Sequence, residues 1–130
     1  MASELHELLN AEYDVLDIVQ DGTALIEAAR RHLPDVIVCD IAMPRVNGFS
    51  AAASILATRP DARFVFISVQ DSRAVIRKAL GCGALGYVLK SDAGNELVAA
   101  VRTALQGSQY VSTNARLILE GGRRSIGNEK

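Results

Sequence analysis

The 130-residue chain is 49% hydrophobic and 22% charged, the balance of a single globular domain, which excludes an intrinsically disordered chain. Its longest apolar runs, Val36–Cys39 and Phe64–Ile67, are far too short to cross a bilayer, and the N-terminus lacks the basic-then-apolar pattern of a secretory signal. The net charge of −1 is uneven: residues 1–35 hold eight acids and two arginines, and the remainder holds twelve bases and seven acids.

Solvated helix faces account for that asymmetry, because the aromatic residues are few and scattered and offer no stacking platform among the bases. Contact with neither nucleic acid nor membrane is therefore expected. Cys39 and Cys82 lack the spacing of a disulfide scaffold or a metal finger and read as small core residues of a cytoplasmic protein.

In chain order, Glu4–Ala11 sets Leu5, Leu8 and Leu9 on one helical stripe, and Asp14–Val19 reads as a strand. After the Asp21-Gly22 turn signal, Thr23–Leu33 predicts a helix with Leu25, Ile26, Ala29 and Leu33 inward, ended by Pro34. Asp35–Asp40 is a short β-branched run with an acid at each end, suited to a strand covered on both faces. Asn47–Thr58 predicts a helix with Phe49, Ala52, Ala53 and Leu56 inward. Arg63–Ser68 predicts the next buried strand, and Asp71-Ser72 can cap a helix carrying Val75, Ile76, Ala79 and Leu80 up to Gly81. Tyr87–Lys90 predicts a short strand, and Ser91 can cap a helix with Leu97, Ala100, Val101, Ala104 and Leu105 on one stripe, stopped at Gly107. Asn114–Glu120 suits a further short helix, and Gly121–Ser125 a linker, so residues 1–110 are expected as the domain and 111–130 as a C-terminal helix and linker remnant.

Strands alternating with helices of this length imply an α/β fold with a parallel sheet covered on both faces. Ligands of such sheets bind beyond the carboxyl ends of the strands. The residues expected there are Asp40, Ser68 and Lys90, a carboxylate, a hydroxyl and an ammonium. A carboxylate can act as nucleophile or metal ligand, and the other two can hold an anion between them; phosphate is the obvious one. Singly, Asp40 reads equally as a loop cap, Ser68 as a backbone-bonding hydroxyl and Lys90 as a solvated end, but their convergence at one edge favours function.

These residues and their surroundings resemble a response-regulator receiver domain, of the subfamily usually followed by a helix-turn-helix DNA-binding domain. The resemblance rests on Asp35–Gly48 (DVIVCDIAMPRVNG), on Phe66-Ile67-Ser68 and on Gly83–Lys90 (GALGYVLK), and it extends over roughly residues 4–120. It implies a flavodoxin-like doubly wound sheet of strand order 2-1-3-4-5. It also implies Asp40 as phosphoacceptor, supplied by a histidine kinase, a phosphotransfer protein or a small phosphodonor. Lys90 and Ser68 would hold the phosphoryl group, Tyr87 would turn inward as Ser68 moves, and Met43, Pro44 and Gly48 would shape the loop. Magnesium would be bound by Asp40 and the Ala42 carbonyl.

Members of that family begin with a strand ending in two acids that hold the magnesium, a little over 40 residues before the phosphoacceptor, whereas 39 residues precede Asp40. The first strand and its acidic pair are therefore expected to be missing, with impaired metal-dependent phosphotransfer and a gap that direct pairing of neighbouring strands, or a homodimer, would fill. Val69, bulkier than the family's usual residue there, is expected to crowd the phosphate site. The leading reading is a non-enzymatic signalling receiver that switches a protein-interaction surface. The alternative is a degenerate receiver that works as a phosphorylation-independent interaction or dimerisation module. A small α/β enzyme or flavin carrier is disfavoured: no glycine-rich phosphate loop follows a strand, and no Ser/His/Asp or Cys/His arrangement is present.

Overall fold

Four short segments rich in β-branched and aromatic residues pair in parallel in a computed structural model that describes residues 7, 9, 21–42 and 47–121. In chain order these residues form α1 (Gly22–His32), β1 (Ile37–Asp40), α2 (Gly48–Thr58), β2 (Phe64–Ser68), α3 (Arg73–Gly81) and β3 (Gly86–Leu89). A single 3-10 turn (Lys90–Asp92) then leads into α4 (Ala93–Leu105), β4 (Tyr110–Val111) and α5 (Thr113–Leu119). The sheet order is β1-β2-β3-β4, with Asp40 beside Ile67 and Ser68 beside Leu89.

The pleat sorts the strand residues by face. Ile37, Cys39, Phe64, Phe66, Tyr87 and Leu89 pack with residues of α1, α2, α3 and α5 in one core. Val65, Ile67 and Val88 pack under Leu97, Ala100, Val101 and Ala104 of α4 in the other. Helices therefore cover both faces, as the α/β reading requires. The sheet is a flavodoxin-like one. The strand expected at 14–19, most of the helix expected at 4–11 and the loop residues Met43 and Pro44 lie outside the described residues.

Side-chain caps set three helix starts, of which the sequence predicts the one at Ser72 as a cap. Asp21 accepts the Ala24 amide at 2.8 Å, Asn47 the Ser50 amide at 2.9 Å and Ser72 the Val75 amide at 3.3 Å, satisfying donors that each helix start leaves free. Four details differ. Leu33 does not join the inner stripe of α1: it sits in the left-handed region at φ 50, caps the helix by donating its amide to the Ala29 carbonyl, and is 61% exposed before Pro34. In α2 the buried residues are Gly48, Ala51, Ala52 and Ile55, while Ala53 faces out. Ser91 does not cap α4, because the chain first makes the 3-10 turn and Asp92 occupies the N-cap position. Cys82 is exposed rather than core, since it follows the end of α3.

Candidate phosphoryl-acceptor site at the carboxyl edge of the sheet

Three strand ends bring the expected residues to one edge. Asp40 closes β1, Ser68 closes β2 and Lys90 follows the last residue of β3. Lys90 Nζ lies 2.6 Å from Asp40 Oδ2, and the Ala42 amide donates to Asp40 Oδ1 at 3.0 Å. Both carboxylate oxygens are thus oriented by donors, while the side chain stays 34% exposed and open to attack from solvent. With 24% of the Lys90 side chain and 34% of the Asp40 side chain exposed, solvent partly screens the pair, which contributes about 0–1 kcal/mol to stability.

Gly48 explains how the following loop returns so close to Asp40. Its amide donates to the Ile41 carbonyl at 2.9 Å. A Cβ at this position would lie 2.8 Å from both the Asp40 carbonyl oxygen and Ile41 Cα, backbone atoms that cannot swing aside. Glycine is required here by close approach rather than by a positive φ.

Ser68 and Tyr87 meet through one residue between them. Ser68 Oγ accepts the Gln70 amide at 2.9 Å, and the Tyr87 hydroxyl donates to the Gln70 carbonyl at 2.7 Å. Tyr87 is fully buried and Ser68 is 1% exposed. Burial raises the Tyr87 pKa above its usual value, and the Ser68 hydroxyl pulls in the opposite direction. Burial also pushes the Cys39 thiol up to about 12, with the Asp40 charge adding to the effect, so this neighbour of Asp40 stays protonated at neutral pH.

A cavity of about 310 Å³ opens beside Ser68 and Lys90, and Val69, Ser91, Asn114 and Ile118 also line it. Val69 is 67% exposed at this cavity. Sequence reasoning missed four contributors nearby: the Gln70 peptide, Ser112, Asp92 and Asn114. Asp92 could have been noticed as a carboxylate two residues beyond Lys90. Its partner Asn114 lies 22 residues further on, with no periodic signal to connect them.

Residues 1–102 match the response regulator receiver domain family. The chain belongs to the response-regulator receiver family. It is 33% identical over 103 residues to the transcriptional regulatory protein DegU of Brevibacillus brevis, covering 79% of this chain and 44% of that protein. The receiver domain of the putative response regulator NarL from Mycobacterium tuberculosis has a similar structure, with TM-score 0.76 and 32% identity over 81% of this chain and 86% of that one. A LuxR-family two-component response regulator from Aurantimonas sp. SI85-9A1 gives TM-score 0.80 and 28% identity over 84% of this chain and 78% of that one. These relatives are NarL- and DegU-type regulators, which carry a C-terminal helix-turn-helix domain.

One expectation is overturned by these relatives. The absence of direct nucleic-acid contact was inferred from scattered aromatics and uneven charge, yet the relatives are transcriptional regulators, and a structural neighbour from Staphylococcus aureus is a DNA-binding response regulator. The chain spans about half the length of the curated relatives it matches, and the match covers their receiver portion. A receiver surface carries no information about DNA contacts made elsewhere in such proteins, which is why charge patterning misled. No described helix is long and apolar enough to cross a membrane.

Proposed function

We propose that this receiver accepts a phosphoryl group on Asp40 from a histidine kinase, a phosphotransfer protein or a small phosphodonor, as part of a cytoplasmic two-component system. The observation that carries this reading is the convergence of the exposed Asp40 carboxylate with Lys90 Nζ at 2.6 Å, next to the buried Ser68 hydroxyl at the neighbouring strand end. A carboxylate oxygen attacks phosphorus, an acyl phosphate forms, and the donor's P–N or P–O bond breaks. The departing imidazole or carboxylate retains the electron pair and is protonated by solvent as needed. Lys90 then pairs with a phosphoryl oxygen and Ser68 donates its hydroxyl proton to another, each a charge-assisted contact. Withdrawal of Ser68 from Gln70 alters the peptide that also holds Tyr87.

The receiver family uses magnesium to neutralise charge that develops during transfer. Among the described residues the donors for it are the Asp40 carboxylate and the Ala42 carbonyl, and no cluster of three His, Cys, Asp or Glu side chains is found there. One carboxylate is the minimum that a magnesium site with retained waters employs, so the ion fits and weak affinity is expected. The chain is a phosphoacceptor whose turnover is confined to its own acyl phosphate.

Amide NMR during titration with beryllium trifluoride and magnesium tests the reading. The expected result is a set of saturable shifts at Asp40, Ser68, Tyr87 and Lys90 that Asp40→Asn abolishes. Shifts absent from the folded wild-type chain, or retained in Asp40→Asn, contradict it and leave the interaction-module reading.

A further inference from the structure

Segment 110–119 is fastened to the two residues that bracket Lys90. The Leu89 amide donates to Oγ of the fully buried Ser112 at 3.1 Å. Asp92, 6% exposed, accepts the Asn114 amide on Oδ2 at 3.1 Å and the Asn114 side-chain amide on Oδ1 at 2.7 Å. Glu96 strengthens the same attachment by accepting the Tyr110 hydroxyl at 2.8 Å and the Thr113 amide at 2.9 Å. On the far side, Arg73 of α3 donates to the Ile118 carbonyl at 3.3 Å.

The strengths of these contacts are unequal. A buried carboxylate receiving two amides is left under-satisfied away from water when one donor is removed, which makes this contact costly to break. The Lys90–Asp40 pair, with side chains 24% and 34% exposed, is partly screened by solvent and holds less firmly. The stiff end of the arrangement is therefore the clamp between Asp92 and Asn114, and the soft end is the ion pair. The backbone at Lys90 is placed by the clamp, and its ammonium is left to follow whatever charge stands on Asp40.

We propose that Asp92 and Asn114 are positioning residues for Lys90, and that through them the Asp40 site is coupled to segment 110–119. The purpose of the coupling rests on Asp40 being the phosphoacceptor, but the coupling itself is present in the unmodified chain. Moving Lys90 pulls on the one-turn 3-10 segment, whose last residue is Asp92, and thereby on Asn114 and the start of α5. Thermodynamic coupling is reciprocal, so loosening Asn114 must also be felt at Lys90.

Hydrogen exchange read by mass spectrometry on the full chain tests this for wild type, Lys90→Met and Asn114→Ala. Lys90→Met keeps the apolar stem and removes the charge. It is expected to speed exchange in peptides covering 111–119 by up to about fivefold, the lower end of ordinary site-to-site coupling, with α1 unchanged. Asn114→Ala is expected to speed exchange at 86–92 similarly. Asp40→Asn, which removes the partner charge with little change in shape, is the second route to the same effect should Lys90→Met fold poorly. Exchange at 111–119 that stays at the wild-type rate in a folded Lys90→Met or Asp40→Asn protein overturns the coupling. A wild-type chain that takes up no phosphoryl group contradicts the phosphoacceptor reading alone, because the exchange comparison requires no phosphorylation.

Discussion

The face of the sheet under α2, α3 and α5 carries Phe64, Phe66, Tyr87 and Cys39, with Ser68 at its edge, while the face under α4 presents Val65, Ile67 and Val88 to alanines, leucine and valine. On the aromatic side, Phe49 meets Phe66 edge-on at 5.4 Å and Lys78 sits 4.8 Å above the Phe49 ring, joining α2 to α3. Tyr87 and Ser68 on this side meet at Gln70, and Cys39 adjoins Asp40. On the aliphatic side the packed strand residues are apolar, and the polar contacts of α4 lie at its ends and outer edge, at Asp92, Glu96 and the Leu105 carbonyl. One layer is built of contacts that have alternatives, since a hydroxyl can change partner. The other is built of apolar burial, which is non-directional and changes only by being lost. Coupling to Asp40 is accordingly expected on the first face and bulk stability on the second.

The largest effect should come from the aliphatic side. Leu97→Ala removes a fully buried side chain and is expected to lower unfolding free energy by about 2–5 kcal/mol in urea titration, while leaving the beryllium trifluoride response at Asp40 in place. A loss below about 1 kcal/mol would break the division of labour, since ordinary large-to-small core changes cost more than this.

Next comes Gly48→Ala, where the new Cβ meets backbone at 2.8 Å. Forced overpacking of this kind costs about 1–3 kcal/mol, and here it should also impair phosphoryl uptake, because the atoms displaced belong to Asp40 and Ile41. Stability loss with an unimpaired site would separate loop geometry from acceptor chemistry.

A smaller change is expected for Tyr87→Phe. The hydrogen bond to the Gln70 carbonyl is lost, but Gln70 is exposed and its carbonyl can hydrate, so about 0.5–1.5 kcal/mol is expected. The sharper readout is the Ser68 amide, whose response to beryllium trifluoride should diminish if Gln70 links the two side chains.

The smallest effect at neutral pH concerns Cys39. Its folded pKa of about 12 lies above the ordinary value of 9.0, so the folded state retains a proton that the unfolded state releases. This contribution is fully present below pH 9 and is lost as pH rises from 9 towards 12. Cys39→Ala should flatten the alkaline slope in that window. In the folded chain at pH 8, thiol labelling should reach the exposed Cys82 and spare Cys39.

How much of this was legible in the sequence follows from the range of each interaction. Asp40, Ser68 and Lys90 could be placed because short continuous apolar runs rich in β-branched and aromatic residues locate buried strands, and a parallel sheet then brings their carboxyl ends together without any knowledge of contacts. The inner face of α2 was misplaced because Ala51-Ala52-Ala53 is apolar all round and gives no preferred direction. The two-residue strand β4 left no pattern at all: Tyr110 and Val111 pair with Gly86 and Tyr87, and two residues cannot display a period. The Asp92–Asn114 clamp joins two polar residues of ordinary surface type, so only the fold reveals them as partners.

The central claim is that Asp40 is the nucleophile of a working acceptor site, and intact mass measures this most directly. The folded chain is incubated with a small acyl phosphate and magnesium beside Asp40→Asn. The account requires a gain of one phosphoryl group on the wild-type chain and none on the variant. An equal gain on both, or none on a wild-type chain shown to be folded, would contradict it.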